Sequence, residues 1–109
     1  MSNDRFEINV LLDFYGNLLT EKQQQICGYY YRDDYTLQEI ADMEGISRSA
    51  VHDMIRRSRE ELFRFEDKLN LLPGFKKRML IYEKIKHYSH DEVILELVEQ
   101  CIRTETEGG

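Results

Sequence analysis

Arg48, Ser49, His52, Asp53 and Arg56 follow one another at steps of one, three, one and three residues, the spacing that gathers side chains on one side of an α-helix. Their chemistry suits the edges of base pairs. Arginine can set two donors against the acceptors of guanine, and serine and histidine can bond to bases or phosphates. Each good bidentate contact is worth about 1–3 kcal/mol of discrimination. Ser47, just ahead, is a helix N-cap residue, so the same helix start offers free N–H groups and a positive dipole end to a phosphate. Arg57 and Arg59 lie further round and suit backbone contacts. Asp53 is the exception: it repels phosphate unless it accepts a cytosine amino proton or orients Arg56 or Arg57.

Other chemistries have less behind them. His52, His87 and His90 have no companion nucleophile or metal cluster, no glycine-rich phosphate loop is present, and Cys27 sits on an apolar helix face, so no catalysis, cofactor or metal is expected. Adjacent Asp33 and Asp34 read as loop residues between helices, not as a metal pair. Tyr29, Tyr30, Tyr31 and Tyr35 could stack on exposed bases, but helix packing with hydroxyls reaching the surface is the stronger reading. Cys27 and Cys101, far apart in sequence, are expected to be reduced core residues.

The chain of 109 residues carries a net charge of −6, an objection to any grip on phosphates. Local charge answers it. From Ser47 to Arg59 there are Arg48, Arg56, Arg57 and Arg59 against Asp53, four minus one or +3. Acid is concentrated after Tyr88, where Asp91, Glu92, Glu96, Glu99, Glu105 and Glu107 face only Arg103. With one proline, six glycines and 41% hydrophobic residues, the composition favours an all-α domain. No leader or span of roughly 20 apolar residues is present, and a cytoplasmic protein is expected.

The elements that must position these residues can be read from periodicity. A first helix, Arg5 to Leu18, carries Ile8, Leu11, Leu12, Tyr15, Leu18 and Leu19 on one face. Thr20 and Gln23 form a capping box opening a helix to about Arg32, in which Gly28 suggests close approach by another helix. Thr36 and Glu39 form a second box, Gly45 permits a left-handed stop, Ile46 is expected as a buried staple, and Ser47 caps the next helix. Thr36 to Arg57 is therefore a helix-turn-helix. Leu37, Ile40, Ala41, Ile46, Val51 and Ile55 should pack its two helices together. Nothing breaks the second helix until Pro73 and Gly74, so it should run to about Leu71. Its seam of Val51, Ile55, Ser58, Leu62, Phe65, Leu69 and Leu72 has the 3.5-residue coiled-coil period. That seam serves either a dimer or packing within one chain, against Met79, Ile85 and Leu97. Phe75 to Tyr88 forms a basic helix with Lys76, Lys77, Arg78, Lys84 and Lys86. A third box, Ser89 with Glu92, opens a last helix presenting Val93, Leu97, Val98 and Cys101 or Ile102, and Thr104 to Gly109 should fray. Residues 1–72 then make the helix-turn-helix domain and 73–109 a helical hairpin for packing or dimerisation, part of the same compact unit.

The segment Thr36–Arg57 resembles the helix-turn-helix of region 4 of bacterial sigma factors. A longer stretch, Leu11 to Leu69, reading LLDFYGNLLTEKQ, YYYRDDYTLQEIAD, ISRSAVHDMIRRS and FEDKL, is similar to the YlxM family of small bacterial proteins. That resemblance implies an all-helical cytoplasmic protein whose gene neighbours those of the signal recognition particle GTPase and its receptor, and hence a regulator or accessory of that pathway. The sigma-like pattern implies Arg48, Ser49, His52, Asp53 and Arg56 at the groove. Two functions follow as expectations: a homodimeric regulator of double-stranded DNA, or an adaptor that uses the basic helix Lys76 to Lys86 to bind RNA or the GTPase of the particle.

Overall fold

The computed structural model describes residues 5–107, and these are built from helices, with no strand among them. The order is α1 (Arg5–Tyr15), a 3-10 turn (Gly16–Leu18), α2 (Glu21–Cys27), a π-helical turn (Gly28–Arg32), α3 (Leu37–Glu44), α4 (Arg48–Leu69), α5 (Leu72–Tyr88) and α6 (Glu92–Thr106). Helices α1, α2 and α3 pack on α4, while α5 and α6 pack on each other and α6 returns to α1.

Local signals set most boundaries. Both threonine capping boxes form, with Thr20 and Thr36 hydroxyls accepting the N–H of Gln23 and Glu39 and those side chains accepting in return. Gly45 closes α3 at φ 68°, a left-handed conformation in which any side chain is strained. The long helix stops earlier than expected, at Leu69, because Asn70 takes the left-handed conformation at φ 54° and its N–H caps Glu66. Pro73 and Gly74 are not a break at all. They lie in the first turn of α5, where proline lacks only an N–H that would have no helical partner. Ser89 does not open α6 either: its N–H still bonds to Ile85, and Asp91 accepts the N–H groups of Val93 and Ile94 instead.

The core joins Ile8, Leu11, Tyr15, Ile26, Ile40, Val51, Ile55 and Leu62, all buried. Leu18, expected on the α1 stripe, is 58% exposed, because the tighter 3-10 turn rotates it out of register. Ile46 is exposed rather than a buried staple, and a Cβ on Gly28 would meet nothing within 4 Å, so that glycine marks no close approach. Of the α4 seam, Ser58 and Leu62 are fully buried and Phe65 half-buried, while Leu69 is exposed. Leu72 is buried as the first residue of α5. Cys27 lies in the core, where burial pushes its thiol pKa up. Cys101 is exposed, contrary to expectation, because α6 turns Val98 inward and leaves Val93 and Leu97 outside with it. Thr104 to Thr106 are helical, not frayed: Glu105 takes a two-pronged contact from Arg78 at 2.6 and 2.8 Å and the Tyr82 hydroxyl at 2.6 Å. Gly108 and Gly109 lie outside the described residues.

One carboxylate fastens three helices. Glu66 of α4 accepts the buried Tyr15 hydroxyl of α1 at 2.6 Å and the N–H groups of Leu71 and Leu72 at 3.2 Å. Burial, then the Glu66 contact, pushes the Tyr15 phenol from 10.0 up to about 12. The folded protein thus holds this proton more tightly than the unfolded chain. The resulting stability is complete below pH 10 and lost as pH rises toward about 12. Alkaline unfolding followed by circular dichroism should therefore begin near pH 10 and shift upward in Tyr15→Phe, measured against each protein's own stability at neutral pH. An unshifted profile in the variant would assign the alkaline limit to other groups.

Candidate nucleic-acid interface

Helix α3 acts as a buttress. Ile40 and Ala41 are buried on it, as are Val51 and Ile55 on α4, so a small alanine stands where the two helices meet, and Leu37 is half-buried beside them. This arrangement leaves the opposite side of α4 free. Ser47, Arg48, Ser49, His52, Arg56 and Arg57 are exposed, and Asp53 and Arg59 are half-buried. The Ser47 hydroxyl accepts the Ala50 N–H at 3.1 Å and lies 3.4 Å from that of Ser49, which fixes the start of the helix.

The arginines are not equivalent. Asp53 holds Arg56 at 2.7 Å and Arg57 at 2.7 Å, and Glu60 holds Arg56 again at 3.1 Å. The Arg56 guanidinium, with Arg57 adding to it, keeps the Asp53 carboxyl below its ordinary range, and the same pairing raises Arg56. Arg48, by contrast, makes no ion pair among the described residues. Exposed pairs of this kind are worth little in stability, and their effect is on direction: they set where the guanidinium forks point before any partner arrives.

Sequence reasoning did not place three contributors at this face. Glu60 was visible as an i, i+4 partner of Arg56, and with Glu61 it lowers the local balance from 47 to 61 to four arginines against three carboxylates. Tyr30 and Tyr31 belong to the π-helical turn and could be brought here only by tertiary structure. They line a groove of about 260 Å³ with His52, Arg56 and Arg59, flanking α4. Burial pushes the Tyr31 phenol to a higher pKa, against the opposing pull of the Arg59 cation beside it. The turn is fastened from α1. Arg5 donates to the Tyr30 carbonyl and lies 5.2 Å from the Tyr30 ring centre, and Asn9 donates to the Tyr31 carbonyl at 3.0 Å.

The basic helix α5 is largely spoken for: Lys76 pairs with Glu7, Arg78 with Glu105 and Lys86 with Glu99 and Glu83. The residues expected at the groove therefore come together on one exposed face of α4, while the alternative basic surface is mostly neutralised.

Comparison with known proteins bears on this arrangement. The family model described as "UPF0122: Putative helix-turn-helix protein, YlxM / p13 like" matches residues 2–101. A UPF0122 protein of Malacoplasma penetrans is 43% identical over 95% of this chain and 91% of its own. One from Streptococcus pyogenes is 44% identical over 84% and 81%, and one from Clostridium botulinum is 51% identical over 63% of each.

Proposed function

Since the chain belongs to the UPF0122 family of YlxM/p13-like helix-turn-helix proteins, we propose that it binds double-stranded DNA as a regulator, with the first turns of α4 in the major groove. The observation that carries this reading is the exposure of Arg48, His52 and Arg56 on one side of a helix braced by α3. That is the docking geometry of helix-turn-helix proteins generally. Ser47 and Ser49 at the helix start address a phosphate, Arg48 and Arg56 the base edges, and Arg57 and Arg59 the flanking backbone. Binding as a homodimer would double a modest grip and set half-sites roughly 34–36 Å apart or a multiple of this. No helix among the described residues is long and apolar enough to cross a membrane, in keeping with action in the cytoplasm.

The cellular role we propose is regulation of the signal recognition particle pathway, which rests on the family resemblance of Leu11–Leu69 and on the gene neighbourhood that this resemblance implies. Direct binding of the particle's RNA or GTPase through α5 is the less favoured reading, because three of its cations are already paired within the chain. Selection of bound fragments from the host genome, at one stated salt concentration and beside the particle's RNA, tests both. Enrichment of a shared duplex sequence is expected; recovery of the RNA alone would overturn the DNA reading.

Asp53 gives this reading a further check. Asp53→Asn removes the carboxylate that holds Arg56 and Arg57 and one negative charge from the face. Affinity for arbitrary duplex should rise several-fold, with a steeper salt dependence by about one unit, while preference for the selected sequence falls. Filter binding across a salt series measures both slopes; unchanged slopes would place Asp53 outside the interface.

A further inference from the structure

The groove between the π-helical turn and α4 has a lining of mixed origin. Helix α4 contributes His52, Arg56 and Arg59, the turn contributes Tyr30 and Tyr31, and Leu37 and Ile55 add apolar surface. Each of its polar side chains can donate a hydrogen bond. No carboxylate among the described residues lines it. In a chain with 21 acidic side chains against 15 of Lys and Arg, that composition marks a place for an anion.

The two arginines differ in what already holds them. Arg56 is engaged by Asp53 and Glu60, neither of which lines the groove. Arg59 makes no ion pair among the described residues, and its neighbour here is the Tyr31 phenol. Being half-buried, its charge is screened less than that of a fully exposed arginine. A guanidinium fork of this kind fits the oxygens of a phosphate.

A phosphate by itself would leave most of the groove empty. The groove encloses about 260 Å³, just under the roughly 300 Å³ at which small-molecule sites begin. Its remaining walls are ring and aliphatic surface from half-buried Tyr30 and Leu37 and buried Tyr31 and Ile55. Aromatic walls accept the flat face of any base. These rings are set in advance: the Arg5 guanidinium lies 5.2 and 5.7 Å from the Tyr30 and Tyr31 ring centres, and Asn9 holds the Tyr31 carbonyl. An intact duplex cannot supply such a ligand, because its bases are paired and stacked inside.

We propose that this groove binds a nucleoside monophosphate, with the phosphate on Arg59 and Arg56 and the base against Tyr30 and Leu37. A free nucleotide and the unpaired 5′ end of a strand present the same chemistry. Because His52 and Arg56 serve both this groove and the base-reading face, nucleotide and duplex exclude each other, and filling the groove releases DNA. That exclusion rests on the DNA-binding reading above; the nucleotide site does not.

Isothermal titration calorimetry of the full chain with 5′-AMP, adenosine and inorganic phosphate, each alone and without DNA, tests the site. AMP should bind at least about tenfold more tightly than either half, since its two parts are joined. Arg59→Gln should weaken AMP about tenfold and leave adenosine unchanged, with helicity intact. Tyr30→Ala should weaken AMP and adenosine alike. A 5′-phosphorylated single strand that matches AMP would name the strand end as the source, and one that binds more weakly would name the free nucleotide. AMP held no more tightly than inorganic phosphate, or equally by wild type and Arg59→Gln, would overturn the site. In filter binding, AMP should displace an arbitrary duplex. Duplex retained at saturating AMP would overturn the exclusion, whereas a chain that binds AMP but no duplex would remove the DNA-binding reading and leave the nucleotide site standing.

Discussion

Leu62→Ala should lower the free energy of unfolding by about 2–5 kcal/mol, the range for emptying a fully packed leucine site, and Leu69→Ala by less than about 1 kcal/mol. The two leucines are seven residues apart on one helix and have the same place in the heptad pattern. Their surroundings are opposite. Leu62 has no exposed surface, lying where α1 and α2 pack on α4, so its removal leaves a cavity among helices that cannot all close on it. Leu69 is 53% exposed in the last residue of α4, one position before the left-handed Asn70. Denaturant unfolding with an unchanged slope would register the difference cleanly. Similar costs at both sites would mean that the seam continues to Leu69 under cover supplied by another molecule.

Arg48→Ala and Arg56→Ala should each weaken binding to a selected duplex by about 1–3 kcal/mol, roughly 5- to 150-fold, with thermal stability nearly unchanged. Both residues are exposed on α4, and neither side chain belongs to the core. The two effects should differ in character. Arg48 makes no ion pair among the described residues, whereas Arg56 must leave or share Asp53 and Glu60 to reach a base. Part of what Arg56 contributes on binding is therefore offset by the contacts it gives up, and Arg56→Ala should cost less than Arg48→Ala wherever both address guanine. Arg59→Ala should behave otherwise, lowering affinity for all sequences and flattening the salt slope by about one unit. Equal affinity of wild type, Arg48→Ala and Arg56→Ala at one salt concentration would remove both residues from the interface.

What could be read in advance follows from the range over which each interaction acts. The Thr20 and Thr36 boxes, the Gly45 stop and the Ser47 cap involve residues within a few positions of one another, and all four form. Competing local signals were harder to rank. Pro73 and Gly74 suggest a break more strongly than Asn70 does, yet proline is harmless at the start of a helix, and asparagine tolerates the left-handed conformation. Ser89 and Asp91 both could cap α6, and the choice fell to the residue whose own backbone was not already committed to α5. Contacts such as Glu66 with Tyr15, or Arg78 with Glu105, join residues 51 and 27 positions apart and leave no periodic trace. The groove face shows the same division. Its composition was legible, but the flanking tyrosines arrive through the packing of α1 against the widened turn.

That turn has a consequence for how the protein tolerates change. A π-helical segment holds one more residue per turn than its neighbours, so Gly28–Arg32 behaves as an absorbed insertion. The carbonyls of Tyr30 and Tyr31 are engaged by donors from Arg5 and Asn9, more than twenty positions upstream. The opening helix is thus a splint for a segment it precedes by a wide margin. Shortening the chain at that end would free the coil to tighten, carrying its phenols away from the flank of α4 while the arginines of α4 stayed in place.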